Sequence, residues 1–431
     1  MRTVRTGRGW LAVTALAAIT LAACGADSSD DGGTADGPVE LRMTVWTADE
    51  AQLAMFQEIG DAYVAEHGDT VSDVSFETLP FEEYTTGLTT QIAGGNPPDL
   101  AWIFENSAPE FVDSGALLDL RPVLEQAEGY EFDDLEPDAL NLWSSGDGLF
   151  AYPFSNSPFG IFVNLDHLAA AGQPTPAELI ANGEWTWDKA AEIAAAAAQA
   201  SGKSGLVVRD FEFSAWDNLA TIWNGWDARP WSDDGTTCEF DAPEMVDALT
   251  WFHDQVFVEQ AIPGPGTTAD FFAGDAALTI TQISRASALD DSFAWDLVPL
   301  PAGPAEQVSV IGQAGIGVFA DGPNAEAAAD FLAYFTNPEN AEKLSTYFPP
   351  PRTSLLNADT LKAANPKLTA EQLQSVVVDG IKGAQTKPAH AKFSQLQQTV
   401  RAELDALWEP GADVEAVAAS VCTAIDPLLG G

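Results

Sequence analysis

Apolar and polar positions at the start of the folded chain run in two alternating rhythms. Val39, Leu41, Met43 and Val45 alternate with Glu40, Arg42 and Thr44 up to Trp46, and a period of two predicts a strand with one buried face. Over residues 49–66 the period lengthens, with Leu53, Phe56, Ile59 and Tyr63 recurring three or four apart. That spacing lines them up on one side of a helix. Residues 71–78 return to strand spacing, 84–92 read as a helix closed by Gly94-Gly95, and 100–104 form an apolar run introduced by Pro97-Pro98-Asp99. Strand, helix, strand, helix, strand is the order of a parallel α/β layer.

Further along, the same reading predicts strands at 159–163, 276–280 and 308–311, and helices at 166–171, 187–199, 243–258, 325–335 and 338–347. The end signals agree with the spacing. Thr186 is suited to cap a helix that Gly202 stops, and Asn337 to cap one with Pro338 in its first turn. Residues 358–429 are mostly helical in pattern, and no internal repeat recurs.

The first residues break the pattern. Arg2, Arg5 and Arg8 precede an uncharged, Ala- and Leu-rich stretch over 10–23. A basic start and a short apolar run predict a secretory signal peptide over 1–23, too short to span a bilayer by preference. It ends in Leu21-Ala22-Ala23-Cys24-Gly25, which resembles the cleavage and lipidation motif of bacterial lipoproteins. Small residues would admit the peptidase, and the Cys24 thiol would take the lipid. An ordinary signal peptide with a chance cysteine is the alternative. Residues 24–38 are small and acidic, with no large apolar side chain before Val39, so burial cannot offset their ordering entropy. They are expected to form a flexible tether reaching roughly 20 Å.

Charge narrows the partners. Sixty-five Asp and Glu face eighteen Lys and Arg, a formal charge of −47. Such a field excludes nucleic acid and a surface that hugs anionic lipid, leaving membrane contact to the anchor alone. The acids are scattered rather than set out as calcium loops, and His67, His167, His253 and His390 lack metal-ligand spacing, so no metal or cofactor is expected. Cys238 and Cys422 form an even pair outside the cytoplasm. A disulfide is the natural reading, with two buried free thiols as the alternative.

Eight segments, in order, carry a family resemblance. They are Gly94-Gly95-Asn96-Pro97-Pro98-Asp99, Gly115-Ala116-Leu117-Leu118-Asp119-Leu120, Gly148-Leu149-Phe150-Ala151-Tyr152-Pro153 and Gly160-Ile161-Phe162-Val163-Asn164. Then follow Glu184-Trp185-Thr186-Trp187-Asp188, Phe271-Phe272-Ala273-Gly274-Asp275-Ala276-Ala277-Leu278, Trp295-Asp296-Leu297-Val298-Pro299-Leu300-Pro301 and Pro349-Pro350-Pro351-Arg352. From Val39 on, the chain resembles the extracellular solute-binding proteins of ABC importers that include the maltose-binding receptors. It departs from them at Val163-Asn164, where the family often has Tyr-Asn, and at Asp275-Ala276, where it often has Lys-Ala. The resemblance implies an α/β, two-lobed, periplasmic-binding-protein-like fold of type II, with the ligand in a cleft between the lobes and a hinge of crossing segments. It implies an N-lobe over 39–150 and 300–348 and a C-lobe over 152–297 and 352–431, with crossings near 151–153, 298–301 and 349–352. Both Cys238 and Cys422 would then fall in the C-lobe.

Open α/β sheets hold ligands at the carboxyl ends of their strands. Trp46 and Thr47 follow the first strand, Glu105 and Asn106 the third, and Ser155 and Asn156 the first crossing. Trp216, Trp223, Trp226 and Trp231 lie interleaved with Asp217, Asn218, Asn224 and Asp227. Aromatic faces suit the C–H faces of a sugar ring while amides and carboxylates take its hydroxyls; ordinary core packing is the competing reading for each tryptophan. Gln282, Arg285 and Gln313 follow later strands, and Arg352 sits where it would either touch ligand or lock the third crossing.

Catalytic patterns are lacking. There is no Gly-x-Ser-x-Gly or His-Glu-x-x-His, and Gly202-Lys203-Ser204 has Ala197 where a phosphate loop needs its first glycine. The expectation is a monomeric, non-enzymatic, lipid-anchored carbohydrate receptor on the outer face of the cytoplasmic membrane, serving an ABC permease. The alternatives are an anchored glycoside hydrolase, whose two carboxylates would stand about 5 or 6.5–9.5 Å apart, and a receptor for a non-sugar solute such as a polyamine.

Overall fold

The alternating stretch at the start becomes β1 (Val39–Val45), paired in parallel with β2 (Val71–Thr78) and β3 (Leu100–Phe104). The computed structural model that shows this describes residues 37–430, Asp210 excepted. The expected signal peptide, Cys24 and the expected tether up to residue 36 lie outside the described residues. Two helices, α1 (Glu50–His67) and α2 (Tyr84–Ala93), make the crossovers. Asp49 caps α1 by accepting from the Gln52 amide at 2.8 Å, and Phe56, Ile59 and Tyr63 form its buried face.

Six more strands complete a nine-stranded sheet among the described residues. They are β4 (Ala151–Asn164), β5 (Ser204–Val208), β6 (Ala276–Gln282), β7 (Trp295–Val298), β8 (Val310–Val318) and β9 (Gln385–Thr386). Their order is β2-β1-β3-β8-β4-β6-β5, with β7 also on β4 and β9 also on β8. The later helices used below are α3 (Trp187–Ser201), α4 (Pro243–Phe257), α5 (Ala325–Phe335), α6 (Phe393–Leu404) and α7 (Val414–Leu429). Thr186 caps α3 by accepting from the Lys189 amide, and Gly202 closes it in the left-handed region at φ 68°.

Three apolar cores divide the fold. The first gathers β1 to β3, α1 and α5, and takes in Tyr152 and Phe154 together with Ala314, Ile316 and Val318. The second is built around α3, α4, α6 and α7 against one face of β4 to β6. A smaller third core covers the opposite face, with Phe162, Phe271, Leu297 and Val377. Alternate residues of β4 feed the last two, Ile161 and Val163 to one and Phe162 to the other.

Strand β4 is longer than the 159–163 its hydrophobic spacing foretold, and the added length contains Pro153 and Pro158. Both prolines are accommodated. Residues Pro153 and Phe154 fall in the register shift where Ala314 pairs with Ser155 and Ile316 with Tyr152, a bulge in which the ladder needs no donor from proline. Pro158 stands at the last pair with β8, before β4 takes β6 as its neighbour from Phe159.

A second passage between the cores runs along β8. Leu300, Val308 and Val310 still pack in the second core, and only from Ala314 does the strand enter the first. The proline-rich loop before it is held to the second core's edge: Trp185 Nε1 donates to Pro299 O at 2.8 Å and Trp187 N to Ala302 O at 3.0 Å. A third passage leads from Phe348 at the first core to Leu356 in the third. A disulfide joins Cys238 to Cys422 of α7, Cα to Cα 5.3 Å, within the second core.

Candidate ligand cleft

Where β4 and β8 pass between the cores, they lie side by side. Ser155, Asn156 and Ser157 pair with Ala314, Gln313 and Gly312 in antiparallel register. Asn156 and Gln313 are fully buried and bonded to each other, Gln313 Nε2 donating to Asn156 Oδ1 at 2.6 Å. Gln313 also donates to Ala139 O at 3.0 Å, and Asn156 Nδ2 to Pro153 O at 2.9 Å. These two amides therefore tie the passage strands together, while Ser155 beside them is half-buried. Gly312 matters for its missing side chain, since a Cβ there would stand 1.8 Å from Gln282 Nε2. The Gln282 amide thus rests directly on the strand. Ser157 Oγ and Gln313 Oε1 are buried with no hydrogen-bond partner among the described residues.

The first core supplies one side of this floor. At the carboxyl end of β1 the Trp46 ring stacks on Phe104 with centroids 4.3 Å apart and planes 13° apart. Phe81 and Tyr84 meet it edge-on at 6.2 and 5.1 Å. Trp46 is only half-buried, and Phe81 is 59% exposed, so these rings form a shelf with one side open. Thr47 is half-exposed, its carbonyl accepting from Thr78 Oγ1 at 3.0 Å. Glu105 and Asn106 follow directly after Phe104 in a short turn, and β8 pairs Ala314 with Phe104. Asn106 Oδ1 accepts from Ser107 Oγ at 3.2 Å.

The two sides meet at Lys387, which follows β9. Its ammonium lies 3.2 Å from Glu105 Oε1, 3.1 Å from Asp217 Oδ2 and 3.3 Å from Asn218 Oδ1. All three ionic side chains are nearly buried, with 13%, 9% and 7% exposure for Lys387, Glu105 and Asp217. Burial alone would lower the lysine pKa, but Asp217 and then Glu105 outweigh it and hold the ammonium well above its ordinary value. Gln397 of α6 donates to the other oxygen of Asp217 at 3.3 Å. A carboxylate offers about four lone-pair sites, so this node keeps acceptor capacity beside the aromatic shelf.

The remaining sequence candidates lie elsewhere. Trp216 and Trp223 are enclosed in the second core, where Trp216 packs on Trp231, Phe240 and Phe393 and donates to Gln397 O at 3.1 Å. Trp231 is likewise buried, its ring 5.4 Å from that of His390. Trp226 rests against Trp251 at 5.5 Å. Arg285 sits exposed on the turn Ile283–Ala288 after β6 and has an interaction partner. Arg352 is fully buried under the third passage, donating to Thr336 O at 2.9 Å and Glu131 O at 3.3 Å, with Asp134 3.7 Å away and the Tyr130 ring 4.7 Å below. Lys387 and Gln397 were not singled out by spacing, and Asp217 only as one of the polar residues among the tryptophans. The one signal for Lys387 was its rarity, a lysine among eighteen cations facing sixty-five acids.

A surface groove of about 830 Å³ runs along α3, lined by residues from Asp188 to Lys203 and by Gln255, Glu259 and Gln260. No group of three or more metal-ligating side chains converges among the described residues.

Comparison with known proteins adds three findings. The profile of the bacterial extracellular solute-binding proteins matches residues 58–370. An uncharacterised lipoprotein in the oleD 5′ region of Streptomyces antibioticus is 26% identical over 329 residues, covering 73% of this chain and 70% of that protein. Two solved structures share the fold at 21% identity. One is the cyclic alpha-maltosyl-1,6-maltose binding protein of Arthrobacter globiformis, with a TM-score of 0.76 over 91% of this chain and 100% of the other. The second, an ABC substrate-binding protein of Listeria monocytogenes in complex with cycloalternan, gives 0.77 over 91% and 99%.

Proposed function

Because the chain belongs to the bacterial extracellular solute-binding protein family, we propose that it is a receptor that closes two lobes around a sugar or oligosaccharide and presents it to an ABC-type permease. The first core is the N-lobe, the second and third cores form the C-lobe, and β4, β8 and the stretch 349–356 are the hinge. A single feature carries the carbohydrate reading: the open aromatic shelf of Trp46, Phe81 and Phe104 runs straight into the Glu105–Lys387–Asp217 node. Ring faces beside charge-balanced acceptors are what a polyhydroxyl ring needs, apolar on its C–H side and polar at its rim. The named ligands of the Arthrobacter globiformis and Listeria monocytogenes neighbours, cyclic alpha-maltosyl-1,6-maltose and cycloalternan, support a saccharide as the ligand class.

The ligand contacts we assign are Trp46, Thr47, Glu105, Asn106, Ser155, Asn218 and Gln282, with Asp217 added, while Lys387 is the counter-charge between Glu105 and Asp217. Asn156, Gln313 and Arg352 hold the hinge. Trp216 and Trp223 stiffen the C-lobe beneath the site. Secretion through residues 1–23, lipid on Cys24 and the tether over 24–38 keep the receptor at the outer face of the membrane, and the similarity to a lipoprotein supports that placement.

Titrating the soluble chain from Gly25 onward with a panel of oligosaccharides, while following tryptophan fluorescence and assaying for products, tests this reading. Saturable quenching or enhancement without products is expected. Turnover of a saccharide would instead favour the hydrolase alternative.

A further inference from the structure

Lys387 is held in a way that leaves it little to offer a solute. An ammonium carries three protons and no acceptor, and Asp217, Glu105 and Asn218 at 3.1, 3.2 and 3.3 Å account for all three. What the side chain contributes to the cleft is therefore its charge. Without it, Glu105 and Asp217 would be two nearly buried anions aimed at one small volume, and the Asn218 carbonyl oxygen would point there too. That arrangement of acceptors fits a primary ammonium, which is the group at the end of a lysine. The whole molecule aggravates the problem, because a net charge of −47 concentrates cations around every recess.

We propose that Lys387 is a specificity-determining residue, a tethered ammonium that fills the cation site between Glu105 and Asp217 and so bars amine-bearing solutes from the cleft. Discrimination then comes from an occupied position rather than from a contact to the chosen ligand, which is specificity by exclusion. Uncharged polyhydroxyl solutes remain acceptable, since they need acceptors at the rim and no counter-charge. The inference rests on the cleft reading above, and it names the class of competitor that the cleft must refuse.

Calorimetric titration of wild type, K387A and K387R with putrescine and with methylammonium, each against sodium at equal ionic strength, tests it. K387A is expected to bind putrescine at least tenfold more tightly than wild type does, and K387R to stay at the wild-type level. The double variant K387A/D217N, with one anion fewer, is expected to lose most of the gain. Equal indifference of K387A and wild type to both amines overturns the proposal. Where K387A is too unstable to titrate, its melting temperature decides: a rise in methylammonium chloride beyond that in sodium chloride supports the proposal, and no difference overturns it. The saccharide panel on wild type is a separate arm. Amine gain without any saccharide binding tells against the carbohydrate reading, and saccharide binding without amine gain tells against the role of Lys387.

Discussion

Among the aromatic side chains, Trp46 is distinguished by having one ring face packed on Phe104 while the residue stays half-buried at a strand's carboxyl end. Replacing it with alanine is expected to weaken saccharide binding about tenfold, the equivalent of roughly 1.4 kcal/mol and within the worth of one aromatic stacking partner plus its buried area. Trp226→Ala is expected to leave affinity within about twofold, because its ring packs on Trp251; calorimetry on both variants checks the contrast. Arg352 makes the opposite case. Its guanidinium is fully buried on two carbonyls beside Asp134, so Arg352→Met is expected to cost about 3–5 kcal/mol in denaturant unfolding. Saccharide affinity of the folded fraction should be unchanged, and a drop there would place Arg352 at the ligand. Sequence alone left both residues ambiguous for the same reason. Neither an aromatic nor an arginine carries in its neighbours any sign of whether its far end meets solvent or core. Glu105 and Asn218 were legible because they follow a strand or accompany an aromatic cluster. Lys387 was not, since it hangs from a two-residue strand too short to show a period.

At the scale of elements, spacing located most of the fold. Residues 71–78, 100–104 and 325–335 were read with the boundaries the structure has, because each begins or ends at a turn or capping signal. The passage strands were read only in part, over 159–163 and 308–311. β4 carries two prolines, and β8 reads Val310-Ile311-Gly312-Gln313-Ala314-Gly315-Ile316-Gly317-Val318, buried at every position. A strand covered on both faces has no alternation to detect. The disulfide belongs to this scale as well. It ties α7 to a segment 184 residues earlier, so the loop it closes is long and its restraint on the unfolded chain large. The double variant C238S/C422S is expected to lose about 2–5 kcal/mol of stability in chemical denaturation. Its saccharide affinity should hold, because the bridge lies within the second core and away from the shelf.

For the molecule as a whole, charge dominates. Repulsion among sixty-five acidic residues opposes compaction, and salt screens it. The melting temperature of the soluble chain is therefore expected to climb with sodium chloride, most steeply as the Debye length falls from about 30 Å at 0.01 M to about 8 Å at 0.15 M. A flat response between those concentrations would show that the acids are spaced too widely to matter. The cores respond to this field unequally, since the Lys387 node is shielded by burial while the outer helices are not.

The bridge between Cys238 and Cys422 has one more consequence, for whoever wants to watch the protein work. The sequence contains three cysteines, and a soluble version starting at Gly25 keeps only the two that are bonded to each other. Such a protein presents no free thiol. A cysteine introduced beside the shelf, at Phe81 for instance, would be the sole target for a maleimide dye, turning solute capture into an optical signal without further engineering.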